Sequence, residues 1–336
     1  MEYKFSVIMA AYNASRYIKP AIDSVLQQTY RNWELVIVDD GSVDDTLKIA
    51  QDYAEYDSRI KVVHQENSGT AAAARNRALQ YVTGDYVQIL DSDDYLSKDL
   101  LEKFAEGLNQ NKRKVDIISP VAWSVNDEGK KLGEIAHASA YCGKMISGEQ
   151  AFELSLNWTI HGCVCVKNEL MQRIRFNPKL INGDEFTTRR LFYNCSRMIF
   201  TNGSYYYRDN QESTTKSNRN QARMYECLIT DRNIYKYSVS ETMSDRLQKK
   251  CAGKWVRSMV AHQAQYNRTK KNFEEKEKAA IEEILKNNYV QVKEAAIRDR
   301  SVFSLMYKVS AGSYPLFCKI VGVYNVAWRV KKRFCA

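Results

Sequence analysis

Four clusters of polar residues interrupt the first 210 residues of this chain, and each could do chemistry. Leu90-Asp91-Ser92-Asp93-Asp94 is the most charged of them. Three carboxylates this close repel one another unless a cation offsets them. The D-x-D spacing of Asp91 and Asp93 lets both address one divalent ion, or lets one address the ion and the other a ribose. Hard oxygen ligands suit Mg2+ or Mn2+, which usually also hold substrate phosphates. The plainer alternative is a solvated acidic loop capping a helix over 96–108. Val38-Asp39-Asp40-Gly41-Ser42 is the second cluster. A carboxylate there can accept the N3–H of a uracil or the hydroxyls of a ribose, or it can simply serve turn chemistry before the next helix. Asn67-Ser68-Gly69 precedes an alanine run and Arg75. Gly69 permits close backbone approach, and the N-terminus of the following helix suits a phosphate. Arg75 could meet a diphosphate, or be an ordinary surface arginine after a glycine turn. The fourth cluster, Tyr12-Asn13, closes the first apolar run. No G-x-G-x-x-G follows that run and no G-x-x-x-x-G-K-[ST] occurs anywhere. That disfavours a dinucleotide enzyme and a P-loop ATPase.

The elements that must position these residues are legible from periodicity. Phe5–Ala10, Glu34–Val38, Lys61–His64 and Tyr86–Leu90 are short apolar runs and predict strands. Between them, Ile18, Ile22, Val25 and Leu26 share one helical face, Ser42 predicts a cap with Asp44 and Asp45 in its first turn, and 69–82 reads as an alanine-rich helix. This alternation implies βαβ units and a mainly parallel sheet covered on both faces. In such sheets ligands bind at the carboxyl ends of the strands, where all four clusters lie. Further strands are predicted within 115–125, 163–166 and 198–207. Beyond 211 the pattern is helical and charged, over 221–237, 246–266 and 273–287, with an amphipathic terminal segment over 301–333.

Taken together, SVIMAAYN, VDDGSVDDT, ENSGTAAAARNRAL, GDYVQILDSDDYL and INGDEFTTRRLFY resemble the family-2 glycosyltransferases with the GT-A fold. The resemblance covers residues 1 to about 210. It implies a Rossmann-like α/β domain and an enzyme that moves a sugar from a nucleotide diphosphate sugar to a hydroxyl, with inversion. It places Ala10, Tyr12, Asp40, Gly69, Arg75, Asp91 and Arg208 against the nucleotide sugar, with Tyr12 stacking near the base and Asp40 on its N3–H. It makes Asp93, with Asp91, the ligands of the Mn2+ or Mg2+. Related sequences often read E-D-E-F-T-T where this chain has Asn182-Gly183-Asp184-Glu185, so the resemblance makes Asp184 the general base, with Glu185 the alternative. An inverting transfer needs one such carboxylate to deprotonate the acceptor. Tyr205-Tyr206-Tyr207 fits a strand with one buried face, after which Arg208 could close on the diphosphate. His161, in TIHGCVCV, is either an acceptor contact or a structural histidine.

Composition bounds the rest. At 44% hydrophobic and 27% charged residues, the chain is neither disordered nor collagenous. The net charge of +10 divides unevenly. Residues 1–210 hold 25 Lys and Arg against 28 Asp and Glu, a net of −3, and 211–336 hold 25 against 12, a net of +13. This predicts a nucleotide-sugar-binding catalytic domain over 1–210 and a helical basic region over 211–336. Segment 301–336 mixes aromatics with six cations and no acid, which suits an anionic membrane surface or a helix packing on the catalytic domain. Nucleic acid is a weak third reading, for no RNP, zinc or helix-turn-helix signature is present. The start MEYKFSVIMAAYN lacks a secretory pattern, and no run is long enough to span a bilayer. The expected location is therefore cytoplasmic, peripheral on the inner face of the membrane, with the eight cysteines as thiols. The expected donor is a UDP-sugar and the expected acceptor a glycan or lipid-linked glycan in cell-surface polysaccharide assembly. Two rival readings are a nucleotidyltransferase, whose glycine-rich loop and lysine are missing from AAYNAS, and a non-catalytic adaptor on a degenerate transferase fold, for which Gly183 is the one supporting feature.

Overall fold

The alternation of apolar runs folds as the spacing requires. The computed structural model describes residues 2–111, 115–178, 183–210 and 224–334, with the backbone alone for 326–334. It divides into two units between residues 213 and 214.

In the front unit the strands are β1 (Phe5–Ala11), β2 (Trp33–Asp39), β3 (Ile60–His64), β4 (Tyr86–Ile89), β5 (Tyr95–Leu96), β6 (Ile117–Val125), β7 (Lys131–Glu134), β8 (Met145–Ser147), β9 (Cys165–Lys167) and β10 (Arg197–Arg208). They form one sheet in the order β3-β2-β1-β4-β9-β6-β10-β5, with β7 beside β6 and β8 beside β10. The first four strands pair in parallel. The second half is mixed: β9 runs antiparallel to β4 and β6, while β10 runs parallel to β6. The helices are α1 (Ile18–Leu26), α2 (Thr46–Tyr56), α3 (Ala71–Ala78), α4 (Leu100–Gln110), α5 (Gly148–Ser155), α6 (Asn168–Ile174) and α7 (Gly183–Asn194).

Period-two alternation sends Phe5, Val7, Met9 and Ala11 of β1 to one face. There they pack with Ile18, Ile22 and Val25 of α1 and Leu101, Phe104 and Leu108 of α4. Ile8, Val36, Val38 and Val87 are equally buried, so both faces of this half-sheet are covered. The strand ends β1, β2, β3 and β4 therefore open on one edge.

One expectation fails. Ser42 does not cap α2, and Asp44 and Asp45 do not lie in its first turn; the N-cap is Asp45. The Asp44 carboxylate instead accepts from Thr46 and from Ser15 N–H, and the Ser42 hydroxyl accepts from Asn13 N–H. The loop folds back on the end of β1, where these contacts outcompete an earlier helix start.

The second unit is helical: α8 (Cys227–Ser240), α9 (Asp245–Thr269), α10 (Glu275–Gln291), α11 (Lys293–Arg298), α12 (Val302–Val309) and α13 (Tyr314–Phe334). Its core is built on Leu247, Cys251, Trp255 and Met259, one face of α9 at helical spacing. The Trp255 indole donates to Asn288 Oδ1 at 3.1 Å, and Tyr289 packs against the rings of Tyr307, Tyr314 and Phe317. Residues 221–223 of the predicted 221–237 helix lie outside the described residues. So do the side chains of Arg329, Lys331, Lys332 and Arg333 in the predicted basic segment.

Candidate active site

Parallel register brings the polar strand ends level. Ala10 pairs with Val38, and Asp39 with both Ala11 and His64. Leu90 N–H donates to Ile8 O, which carries Asp91 up beside the end of β1.

The β1 and β2 ends make one group. Tyr12 is about half exposed, while Asp39 and Asp40 are buried. Asp39 Oδ2 lies 2.8 Å from His64 Nδ1. Asp40 accepts from Gln65 Nε2 at 2.5 Å, from Ser68 N–H at 3.1 Å and from Ser68 Oγ at 2.9 Å. The carboxylate is thus fixed in one rotamer beside Gly69, whose φ of +77° is the left-handed conformation that favours glycine.

The acidic turn makes the other group. Asp94 is 1% exposed and is held by β10: the Tyr205 hydroxyl donates to its Oδ2 at 2.7 Å, and Arg208 N–H to its Oδ1 at 2.8 Å. The same Tyr205 oxygen accepts from Asp91 N–H at 3.3 Å. Burial, then Asp91 and Asp93, hold the Asp94 carboxyl well above its ordinary pKa. Asp93 is raised by burial and by Asp91, against a hydrogen bond from Asn210 Nδ2 at 3.1 Å. Arg208 is buried; its Nε donates to Asp93 O at 3.0 Å and its guanidinium lies 5.5 Å from the Tyr17 and Tyr95 rings.

Arg75 joins this turn to α7. It is no surface arginine: only 7% exposed, it places Nη2 2.5 Å from Asp91 Oδ1 and Nη1 3.9 Å from Asp184 Oδ2, with Phe176 against the guanidinium. Burial alone would lower its pKa, but Asp91 and Asp184 outweigh burial and raise it, so the charge is firmly held.

The two candidate bases part company here. Asp184 is 56% exposed and faces Arg75. The Glu185 carboxylate is 15% exposed and lies 2.9 Å from Nη2 of buried Arg189. The departure at Gly183 also has a cause. A Cβ there would come 2.2 Å from the Asn177 carbonyl oxygen, so the chain has no room for the glutamate that related sequences carry. His161 resolves as structural: it is 2% exposed and lies between Pro120 O and Cys163 N–H.

Asp91 and Asp93 offer a cation two carboxylates, and no group of three or more His, Cys, Asp or Glu side chains close enough to hold a metal occurs among the described residues. The donor set fits Mg2+ or Mn2+, which keep few protein ligands and complete their shell with substrate oxygens. No role in the site was expected of Asp94, Tyr205, Gln65 or Ser68. Asp94 shared the acidic run with Asp91 and Asp93, and Tyr205 lay in a tyrosine run compatible with a plain buried strand face.

The family model described as glycosyl transferase family 2 matches residues 6–171. Glycosyltransferase GlyG of Streptococcus pneumoniae is 25% identical over 214 residues, 61% of this chain and 70% of that protein. The UDP-Glc:alpha-D-GlcNAc-diphosphoundecaprenol beta-1,3-glucosyltransferase WfgD of Escherichia coli is 46% identical over 101 residues, 30% of this chain and 39% of that enzyme. Among solved structures, S. aureus TarS 1-349 in complex with UDP-GlcNAc superposes with a TM-score of 0.72 at 20% identity, covering 96% of this chain and 92% of that one. The fold is of the GT-A type, followed by a helical region. With its motif order, its sheet and the matched segment in agreement, residues 6–171 form a glycosyl transferase family 2 domain.

Proposed function

We propose that this protein is an inverting, cation-dependent transferase that moves a sugar from a UDP-sugar to a hydroxyl of a glycan or lipid-linked glycan, in cell-surface polysaccharide assembly. The observation that carries the reading is Arg75, whose one guanidinium lies between Asp91 of the acidic turn and Asp184 at the start of α7. Donor site and base are thereby held in one frame. Asp40, Tyr12 and Ala10 receive the nucleobase and ribose. A base N3–H meets a carboxylate already oriented by Ser68. Gly69 and Arg208 border the diphosphate, and Asp93, with Asp91, would hold the cation, which when bound offsets charge developing on the leaving diphosphate. Asp184, exposed and next to a firmly charged arginine, takes the acceptor proton as the hydroxyl attacks. The WfgD name and the TarS complex support a UDP-sugar donor, and WfgD a lipid-linked acceptor.

The same reading assigns catalysis to residues 1–210 and a membrane-surface role to the basic region. On α12, Val302, Leu305 and Val309 are exposed on one face beside Lys308, and on α13 Leu316, Lys319 and Val323 are exposed. Apolar side chains with cations and no acids fit an anionic leaflet, which supports a peripheral position on the cytoplasmic face of the membrane. No helix among the described residues is long and apolar enough to cross a membrane. A thermal-shift titration tests the donor site. UDP with Mn2+, at about a hundred times its Kd, should stabilise the native state by about 2.7 kcal/mol, and Asp93→Ala should abolish the Mn2+-dependent part. A shift that is the same with and without Mn2+ would contradict the cation assignment.

A further inference from the structure

The turn that follows α5 carries a residue that its backbone does not suit. Trp158 N–H donates to Ser155 O and Thr159 N–H donates to Leu154 O, the paired bonds of a Schellman helix end. The residue in the left-handed position of that motif is usually glycine. Here it is Trp158, with φ of +60°. A bulky side chain in this conformation is a true outlier, held in place only by its surroundings. The indole is also 52% exposed, the largest ring so exposed in the described chain. Neither strain nor exposure of a tryptophan stabilises the fold.

Its surroundings belong to α7. The Arg189 guanidinium, itself 3% exposed, lies over the indole ring at 5.2 Å from the centroid. Arg189 donates to Ser155 O and pairs with Glu185, the neighbour of Asp184. Arg189 lies five positions after Asp184 on one helix, about 7.5 Å along the axis and roughly 140° around it. The stretch after Trp158 packs on the same helix, for a Cβ on Gly162 would lie 3.1 Å from Thr188 Oγ1. One side of the ring is thus backed by a buried cation while the residue remains half open to solvent, against the helix that carries Asp184 in its first turn.

We propose that Trp158 is the acceptor platform: a pyranose of the incoming glycan stacks its C–H face on the exposed indole, which sets the terminal hydroxyl toward Asp184. The assignment rests on Asp184 being the base, as proposed above. Flat aromatic surface with few convergent polar groups is what a ring of C–H bonds and hydroxyls needs. The left-handed turn aims the indole outward from a helix end that α7 buttresses, and the cation beneath limits its rotation.

The test uses the full chain, with saturation-transfer NMR on methyl β-glucoside, methyl N-acetyl-β-glucosaminide, cellobiose and chitobiose, and UDP binding by calorimetry alongside. Wild type should transfer saturation to the ring protons of at least one sugar. Trp158→Gly removes the ring and suits the left-handed backbone, so the turn is kept; sugar affinity should fall at least tenfold while UDP affinity stays within twofold. Trp158→Phe, which restores a smaller ring, should recover part of the affinity. Sugar binding unchanged in Trp158→Gly, or no binding of any of the four to wild type, overturns the proposal. If the sugars bind through Trp158 but UDP does not bind at all, the transferase reading falls and the acceptor role of Trp158 falls with it.

Discussion

His161 shows what burial does to an imidazole beside a site. One ring nitrogen faces a carbonyl oxygen and the other an N–H, so the ring that satisfies both is neutral. Burial pushes its pKa down to about 4. In the unfolded chain a histidine titrates near 6.5. Between these values the unfolded state binds more protons, so the stability from His161 is complete above about pH 6.5 and is lost as pH falls toward 4. At pH 5 the loss is about 2 kcal/mol. His161→Gln removes this titration. Urea unfolding of the front unit at pH 7 and pH 5 should show wild type losing about 2 kcal/mol more than the variant, and equal losses would contradict the assignment. The sequence left His161 open between acceptor contact and structural residue because an apolar neighbourhood looks the same whether the ring meets a cleft or a carbonyl. Asp184 and Glu185 posed the same difficulty. Adjacent residues on a helix point about 100° apart, so only the position of Arg75 and Arg189 decides which carboxylate is exposed and which is paired.

At the scale of elements, β10 holds the acidic turn. The Tyr205 hydroxyl bonds both Asp94 and Asp91 N–H, so the D-x-D loop takes its shape from a strand more than a hundred residues downstream. Tyr205→Phe leaves the buried Asp94 with one partner fewer. It should cost about 1–3 kcal/mol of stability, lower the melting temperature by several degrees and weaken Mn2+-dependent UDP binding. Calorimetry with and without Mn2+ measures both, and unchanged values would show that the hydroxyl does not shape the loop. The first four strands were readable because each is a short apolar run; β1, β2 and β4 are buried on both faces, while β3, at the sheet edge, exposes Lys61 and His64. Strands β5, β7 and β8, of two to four residues, were not. They exist by pairing with β10 or β6 and have no pattern of their own. The start of α2 was misplaced for a related reason: Ser42 and Asp44 have good capping chemistry, but the loop spends it on Asn13, Ser15 and Thr46.

For the whole molecule, the net charge of +10 is a sum of unlike parts. The −3 front contains the carboxylates of the site, and the +13 remainder contains the acid-free stretch from 301 onward. Each cation near an anionic leaflet contributes about 1 kcal/mol, screened within a Debye length. The protein should therefore sediment with vesicles rich in phosphatidylglycerol at low salt and be released at high salt. Failure to sediment at low salt would remove the membrane role while leaving the transferase reading intact. The charge division was plain in the sequence, as was the motif order of the front. What the helices of the second unit bury was not, since their charged patterns fit several packings. The central claim is that Asp184 takes the acceptor proton in a sugar transfer from a nucleotide diphosphate donor. The direct measurement is UDP release from UDP-glucose and UDP-GlcNAc with Mn2+ and octyl glycoside acceptors, comparing wild type, Asp184→Asn and Glu185→Gln. Wild type should release UDP in an acceptor-dependent manner. Asp184→Asn should lose about 10²–10⁴-fold in turnover while keeping its affinity for UDP, and Glu185→Gln should lose far less. Full turnover by Asp184→Asn, or no release from either donor by wild type, would contradict it.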